Sequence, residues 1–132
     1  LARIFIQSLQ NAIGPEGRIL VRYVAMRRNL EFVDSSINDR LITYSNEHLN
    51  RWGLPHKSFL EIIFSTKLDA VIDLNLDFDA VSATIVQQSK APMRIGFYTE
   101  ESEKYFNILI ERKGSDYIEK GFRNIQQLLG LV

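Results

Sequence analysis

Asp69-Ala70-Val71-Ile72-Asp73-Leu74-Asn75 is the stretch whose reading decides the fold. Its Ala-Val-Ile centre is continuously apolar rather than alternating, the pattern of a parallel strand with both faces covered by helices. A segment from about Phe78 to Lys90 follows with Val81, Thr84 and Ile85 at helical spacing, and Met93–Phe97 then reads as a second strand. Strand, helix and strand in this order make a parallel crossover unit. Toward the C-terminus, Tyr105–Ile110 predicts a further strand. Ser115 or Asp116 caps a final helix carrying Ile118, Phe122, Ile125, Leu128 and Leu129, with Gly130 at its C-terminal stop. Toward the N-terminus, Leu54-Pro55 opens a helix whose stripe is Phe59, Ile62, Ile63 and Thr66. Leu41–Tyr44 is a short strand, and Ile19, Val21 and Tyr23 alternate as another beyond a turn at Gly14–Gly17. Residues 25–32 fit a short helix or a turn equally. Leu1, Ile4, Phe5, Leu9, Ala12 and Ile13 form one stripe of an opening helix ended by Gly14-Pro15. The alternation of strands and helices predicts an α/β fold with a mostly parallel sheet. The chain opens at Leu1 within a helical pattern, which predicts processing or a longer parent protein.

The 132 residues suit one domain, and such a length buries roughly two-thirds of its unfolded surface without a metal or disulfide staple. With no cysteine, a disulfide framework, a thiolate nucleophile and a thiolate zinc site are excluded. Sixteen Lys/Arg balance sixteen Asp/Glu. A net charge of zero argues against a general attraction to nucleic acid, and basic residues are not interleaved with aromatics. No apolar run reaches the ~18 residues of a membrane helix, so no transmembrane segment is expected.

Four of the seven aspartates, Asp69, Asp73, Asp77 and Asp79, crowd around the central strand. Ligands of open α/β sheets bind beyond the carboxyl ends of strands. That position makes Asn75 and Asp77 candidate ligands for a sugar hydroxyl or a divalent cation. The structural alternative, the stronger of the two, has Asp77 capping the following helix and Asp79 complementing its dipole. Asp73 reads as hydrogen-bonded structure. Arg27 and Arg28, beyond another strand end, could meet an anionic ligand, though an ordinary exposed pair accounts for them more simply. His48 and His56 lack metal-pair spacing and read as solvated. Trp52 reads as a packing anchor for its loop, and Tyr98 with Glu100, Glu101 and Glu103 as an acidic exposed turn. Neither a glycine-rich phosphate loop nor a nucleophile elbow occurs. No catalytic constellation, metal site or cofactor is predicted.

Asp69–Asn75, the small-residue helix with Ser82-Ala83, and Ala91-Pro92-Met93-Arg94-Ile95-Gly96-Phe97 together resemble the amino-terminal domain of lipopolysaccharide heptosyltransferases. The edge strand from Phe32-Val33-Asp34 through Asp39–Tyr44 and the ending Ile118–Leu131 are similar to the same domain in the same order. The resemblance implies a Rossmann-like three-layer sandwich, the acceptor half of a GT-B glycosyltransferase. It also implies a sugar acceptor, a nucleotide-sugar held by a second domain, and a cytoplasmic protein at the inner face of the bacterial inner membrane. Asn75, Asp77 and Arg27 are the acceptor-binding candidates.

Two departures qualify that implication. The family's first strand, with the "G-D" loop carrying its proposed base, and its donor domain have no counterpart in residues 1–132, so this chain alone is not expected to be an enzyme. Leu76-Asp77-Phe78-Asp79 stands where the family places glycine and a basic residue. The alternative is a stand-alone, non-catalytic binding module derived from that domain. The first strand is central in the Rossmann order. Its absence predicts a preceding segment, a strand supplied by another chain in a homo-oligomer, or a rearranged sheet. A receiver-type phosphoacceptor domain is a third and weaker reading.

Overall fold

The structure, a computed structural model, describes residues 2–13, 20–28 and 40–131. Its helices are α1 (Ala2–Ile13), α2 (Lys57–Ile63), α3 (Ala80–Ser89) and α4 (Tyr117–Leu128). Its strands are β1 (Tyr23–Met26), β2 (Leu41–Tyr44), β3 (Ala70–Ile72), β4 (Met93–Phe97) and β5 (Ile108–Ile110). All pairings between these strands are parallel. β1 pairs with β2, and β3, β4 and β5 form a second sheet in that order. The architecture is mixed α/β with short parallel sheets; strands and helices alternate from β2 to β4 as the residue pattern predicts, whereas only a 3-10 turn at Ser102–Lys104 separates β4 from β5. Among the described residues, no helix is long and apolar enough to cross a membrane.

Side-chain alternation along the strands divides the core between two faces. Ile72, Ile95, Phe97, Ile108 and Ile110 pack with Phe5 and Leu9 of α1 and Phe122 and Ile125 of α4. Val71 and Leu109 face the other way, onto Ala83 and Val86 of α3 and onto Phe106. A third cluster joins Met26, Ile42 and Tyr44 to Phe59 and Ile63 of α2 and to Ile85 of α3. Helix α3 therefore touches both sheets on one face. On the other, the cluster around α1 takes in Val21, at the approach to β1, and Ile72 of β3.

Two glycines permit the closest approaches. The Phe106 ring occupies the space a Cβ on Gly96 would need, and a Cβ on Gly121 would lie 2.8 Å from Ile110 Cγ2. Asp79 caps α3, its Oδ1 accepting from Ser82 N at 2.9 Å, and Lys90 closes the helix in the left-handed region at φ 53°.

Several expected boundaries move. The strand expected over 19–23 lies at Tyr23–Met26, because those residues pair one for one with Leu41–Tyr44. Helix α2 starts at Lys57 rather than Leu54, since Pro55 forms an antiparallel bridge with Leu49. Ile62, expected inside, is exposed, while Phe59 and Ile63 are buried. The strand expected over 105–110 is regular only at Ile108–Ile110. The expected turn at 14–17, the position of Ile19 and the edge-strand motif from Phe32 to Asp39 lie outside the described residues.

Candidate functional site

Polar side chains gather where β1, β2 and β3 end. Asp73 follows the last residue of β3 and its backbone N–H still donates to Ile95 O at 2.9 Å. That bond holds its carboxylate, only 6% exposed, at the carboxyl edge of the sheet. Asp73 Oδ1 accepts two hydrogen bonds at 2.8 Å, from the backbone N–H and from Nδ2 of Asn75. The same Asn75 Nδ2 donates to Ser82 Oγ at 3.0 Å, and Ser82 N donates to Asp79 Oδ1. One asparagine thus ties the strand end to the first turn of α3.

Tyr44, the last residue of β2, is buried beside this group. Burial pushes its phenol above the ordinary range, and Asp79 pushes it the same way. Ser82 and Arg28 draw it down, and Asp73 again raises it. Those influences place Arg28, Tyr44, Asp73, Asp79 and Ser82 in one electrostatic neighbourhood, drawn from the ends of three strands and the start of α3. Burial raises the Asp73 carboxyl to about 6; the two Asn75 hydrogen bonds pull it down and Asp79 pushes it up. A carboxyl of this kind holds or releases a proton near neutrality and accepts hydrogen bonds from hydroxyl groups. With Asn75, Ser82 and Tyr44 it forms a mixed donor and acceptor set, with the Arg28 cation nearby.

Of the residues singled out from sequence, Asn75 is central to this network. Asp77 is not part of it: its side chain is 94% exposed and lies 3.6 Å from Arg112 Nη1 beyond β5. Nor does Asp77 cap α3, a role taken by Asp79 because that residue has the extended backbone required of a cap. Arg27 lies 3.8 Å from Glu47 in an exposed ion pair. Tyr44 and Ser82 were not anticipated as site residues. The available signal is position, since Tyr44 is the last residue of its strand and Asp73 the first residue beyond its own. No group of three metal-ligating side chains occurs among the described residues.

His48, expected to be solvated, is half-buried. Its Nδ1 accepts from Ser45 N at 3.0 Å and its ring packs 5.1 Å from that of Phe59. Trp52, expected to anchor its loop, is 73% exposed with Arg51 over its ring. The loop is held instead by Asn50, whose Oδ1 accepts from Trp52 N and Leu54 N.

Fold and site together define an α/β domain of parallel strands with a polar cluster at their carboxyl ends. The chain belongs to a family of unknown function, DUF6913, whose model matches residues 24–128. No curated protein and no solved structure matches it.

Proposed function

We propose that this chain is a Rossmann-like domain of the heptosyltransferase acceptor type, and that the cluster around Asp73 binds a hydroxyl-rich, sugar-like ligand. The carrying observation is the tie of Asp73, Asn75 and Ser82 beside Tyr44, at the carboxyl ends of parallel strands. The two-faced core supports the three-layer arrangement of that fold class. Side chains that both donate and accept suit sugar hydroxyls better than a bare anion. Glycosyl transfer needs a nucleotide-sugar site, which in this reading belongs to a second domain, with the whole protein acting at the cytoplasmic face of the inner membrane.

A second reading, a binding module without transfer activity, draws on the exposed Asp77 next to the capping Asp79. These put negative charge where an anionic acceptor would require positive. Saturation-transfer NMR and calorimetry with free heptose and with a nucleotide-sugar test the proposal on the native gene product. Heptose binding that is lost in Asn75→Ala supports the site, and absence of binding overturns it. Turnover of the nucleotide-sugar by the same protein selects the transferase reading, and binding without turnover selects the module.

A further inference from the structure

The two carboxylate oxygens of Asp73 have different surroundings. Oδ1 accepts both Asn75 donors, at 2.8 Å each, while Oδ2 accepts no hydrogen bond among the described residues. Nor is Oδ2 sealed inside: among the described residues, the fully buried side-chain oxygens lacking a partner are those of Tyr23 and Thr99. On a residue that is itself buried, one oxygen is held inside and the other opens outward. Buried polar atoms find partners as a rule. An ionised oxygen without one, in a site largely shielded from water, is a strong acceptor for an incoming donor.

The groups around Asp73 fix what that donor is. Neighbouring strand β4 offers Ile95 O, which already takes Asp73 N. Asp79 acts on Asp73 from the start of α3, and Tyr44 and Arg28 belong to the same neighbourhood from the end of β2 and from beyond β1. The second negative charge, on Asp79, repels an anionic group brought to Oδ2, whereas a neutral hydroxyl donates to it. Asn75 Nδ2 donates to Asp73 Oδ1 and to Ser82 Oγ, so both of its hydrogens are engaged within the protein. That amide is therefore a positioning group: it fixes Oδ1 against the first turn of α3 and leaves Oδ2 turned outward.

We propose that Asp73 Oδ2 is the acceptor for a ligand hydroxyl, positioned by Asn75, so that ligand and proton compete for one oxygen. The inference rests on the sugar-binding reading and deepens it: the site selects a neutral hydroxyl donor and binds it with release of a proton. Burial holds the Asp73 proton up to about 6. Heptose affinity therefore rises about tenfold from pH 5 to pH 7.5 and then levels. The stabilisation linked to the same carboxyl falls as pH rises, so a change in folding cannot produce that rise. Asp73→Asn keeps the tie, since the two Asn75 donors hold its carbonyl oxygen at the Oδ1 place. Its amide nitrogen, a donor, then stands where Oδ2 was.

Calorimetric titration of the native gene product with free heptose at pH 5, 6 and 7.5, repeated at pH 6 in buffers of different ionisation enthalpy, tests it. The expected result is the tenfold rise, with about half a proton released per heptose bound at pH 6. Asp73→Asn should bind more weakly and equally at all three pH values. Equal affinity of the wild type across the series overturns the inference and leaves the sugar reading standing. A slope that persists in Asp73→Asn overturns it as well, by assigning the titration to another group. Absence of heptose binding at every pH overturns the sugar reading and this inference together.

Discussion

Asn75 grips Asp73 twice, its backbone N–H and its Nδ2 both donating at 2.8 Å to the same oxygen, Oδ1. These bonds compensate only part of the cost of burying the carboxylate, so the carboxyl remains raised to about 6. The raised value sets a pH dependence. Unfolded Asp73 loses its proton near 3.8 and the folded protein holds it to about 6. The stabilisation is therefore full below 3.8, falls as pH rises through the interval, and is gone above 6, an effect of about 2–3 kcal/mol. Asp73→Asn keeps an oxygen acceptor and removes the charge. It should flatten this contribution and unfold at higher urea than wild type at pH 7.5, with little difference at pH 4. Parallel shifts of both proteins with pH would show that Asp73 is not the source.

A buried carboxylate that lowers stability at neutral pH is the kind of feature retained for function. Asn75→Ala should leave Asp73 with fewer hydrogen bonds to its charged form and raise its carboxyl further. Carbon-detected NMR titration of the Asp73 side chain reads the direction. An unchanged or lowered value would contradict the role assigned to the Asn75 amide.

Gly96 and Phe106 allow one prediction about packing. Since the Phe106 ring occupies the Cβ position, Gly96→Ala should cost about 1–3 kcal/mol through overpacking. Pairing it with Phe106→Leu should recover part of that loss, because the two changes share one space. Strictly additive denaturation energies would mean that the ring can move aside freely.

The sequence was most legible where local pattern and tertiary pairing agree. Met93–Phe97 is bounded by Pro92 and alternates between the two cores, and the strand falls on the residues expected. The first strand was less determinate. Ile19, Val21 and Tyr23 alternate well, but the ladder runs where β2 offers partners, from Tyr23 to Met26. Beside the site, Asp77 and Asp79 are equivalent as composition. Backbone geometry alone makes Asp79 the cap and leaves Asp77 beside Arg112. The link from Tyr44 to Ser82 and Asp79 crosses from β2 to α3, so no spacing along the chain reveals it.

Ser102 is fully buried, and its hydroxyl closes the turn after β4 by accepting from Thr99 N at 2.6 Å and donating to Thr99 O at 2.7 Å. Ser102→Ala strips the Thr99 N–H of its side-chain partner in a buried place. The expected loss is about 1–3 kcal/mol, with faster local exchange at Thr99. A loss confined to a few tenths would indicate that water replaces the hydroxyl.

The Asn50–Leu54 loop separates anchoring from display. Asn50 Oδ1 accepts from Trp52 N at 2.8 Å and Leu54 N at 3.1 Å, while Gly53 N donates to Asn50 O at 2.9 Å and Asn50 N to Leu54 O at 2.7 Å. This is the turn chemistry for which asparagine is selected. The indole of Trp52 contributes little to it, being exposed with Arg51, also exposed, over its face. Trp52→Ala should therefore change stability by no more than about 0.5 kcal/mol, as exposed substitutions do. Asn50→Ala should cost about 1 kcal/mol by freeing two backbone donors. Urea denaturation of the two variants ranks them directly. A larger loss for Trp52→Ala than for Asn50→Ala would mean that the indole, not the asparagine, holds the loop against the Leu49–Pro55 bridge.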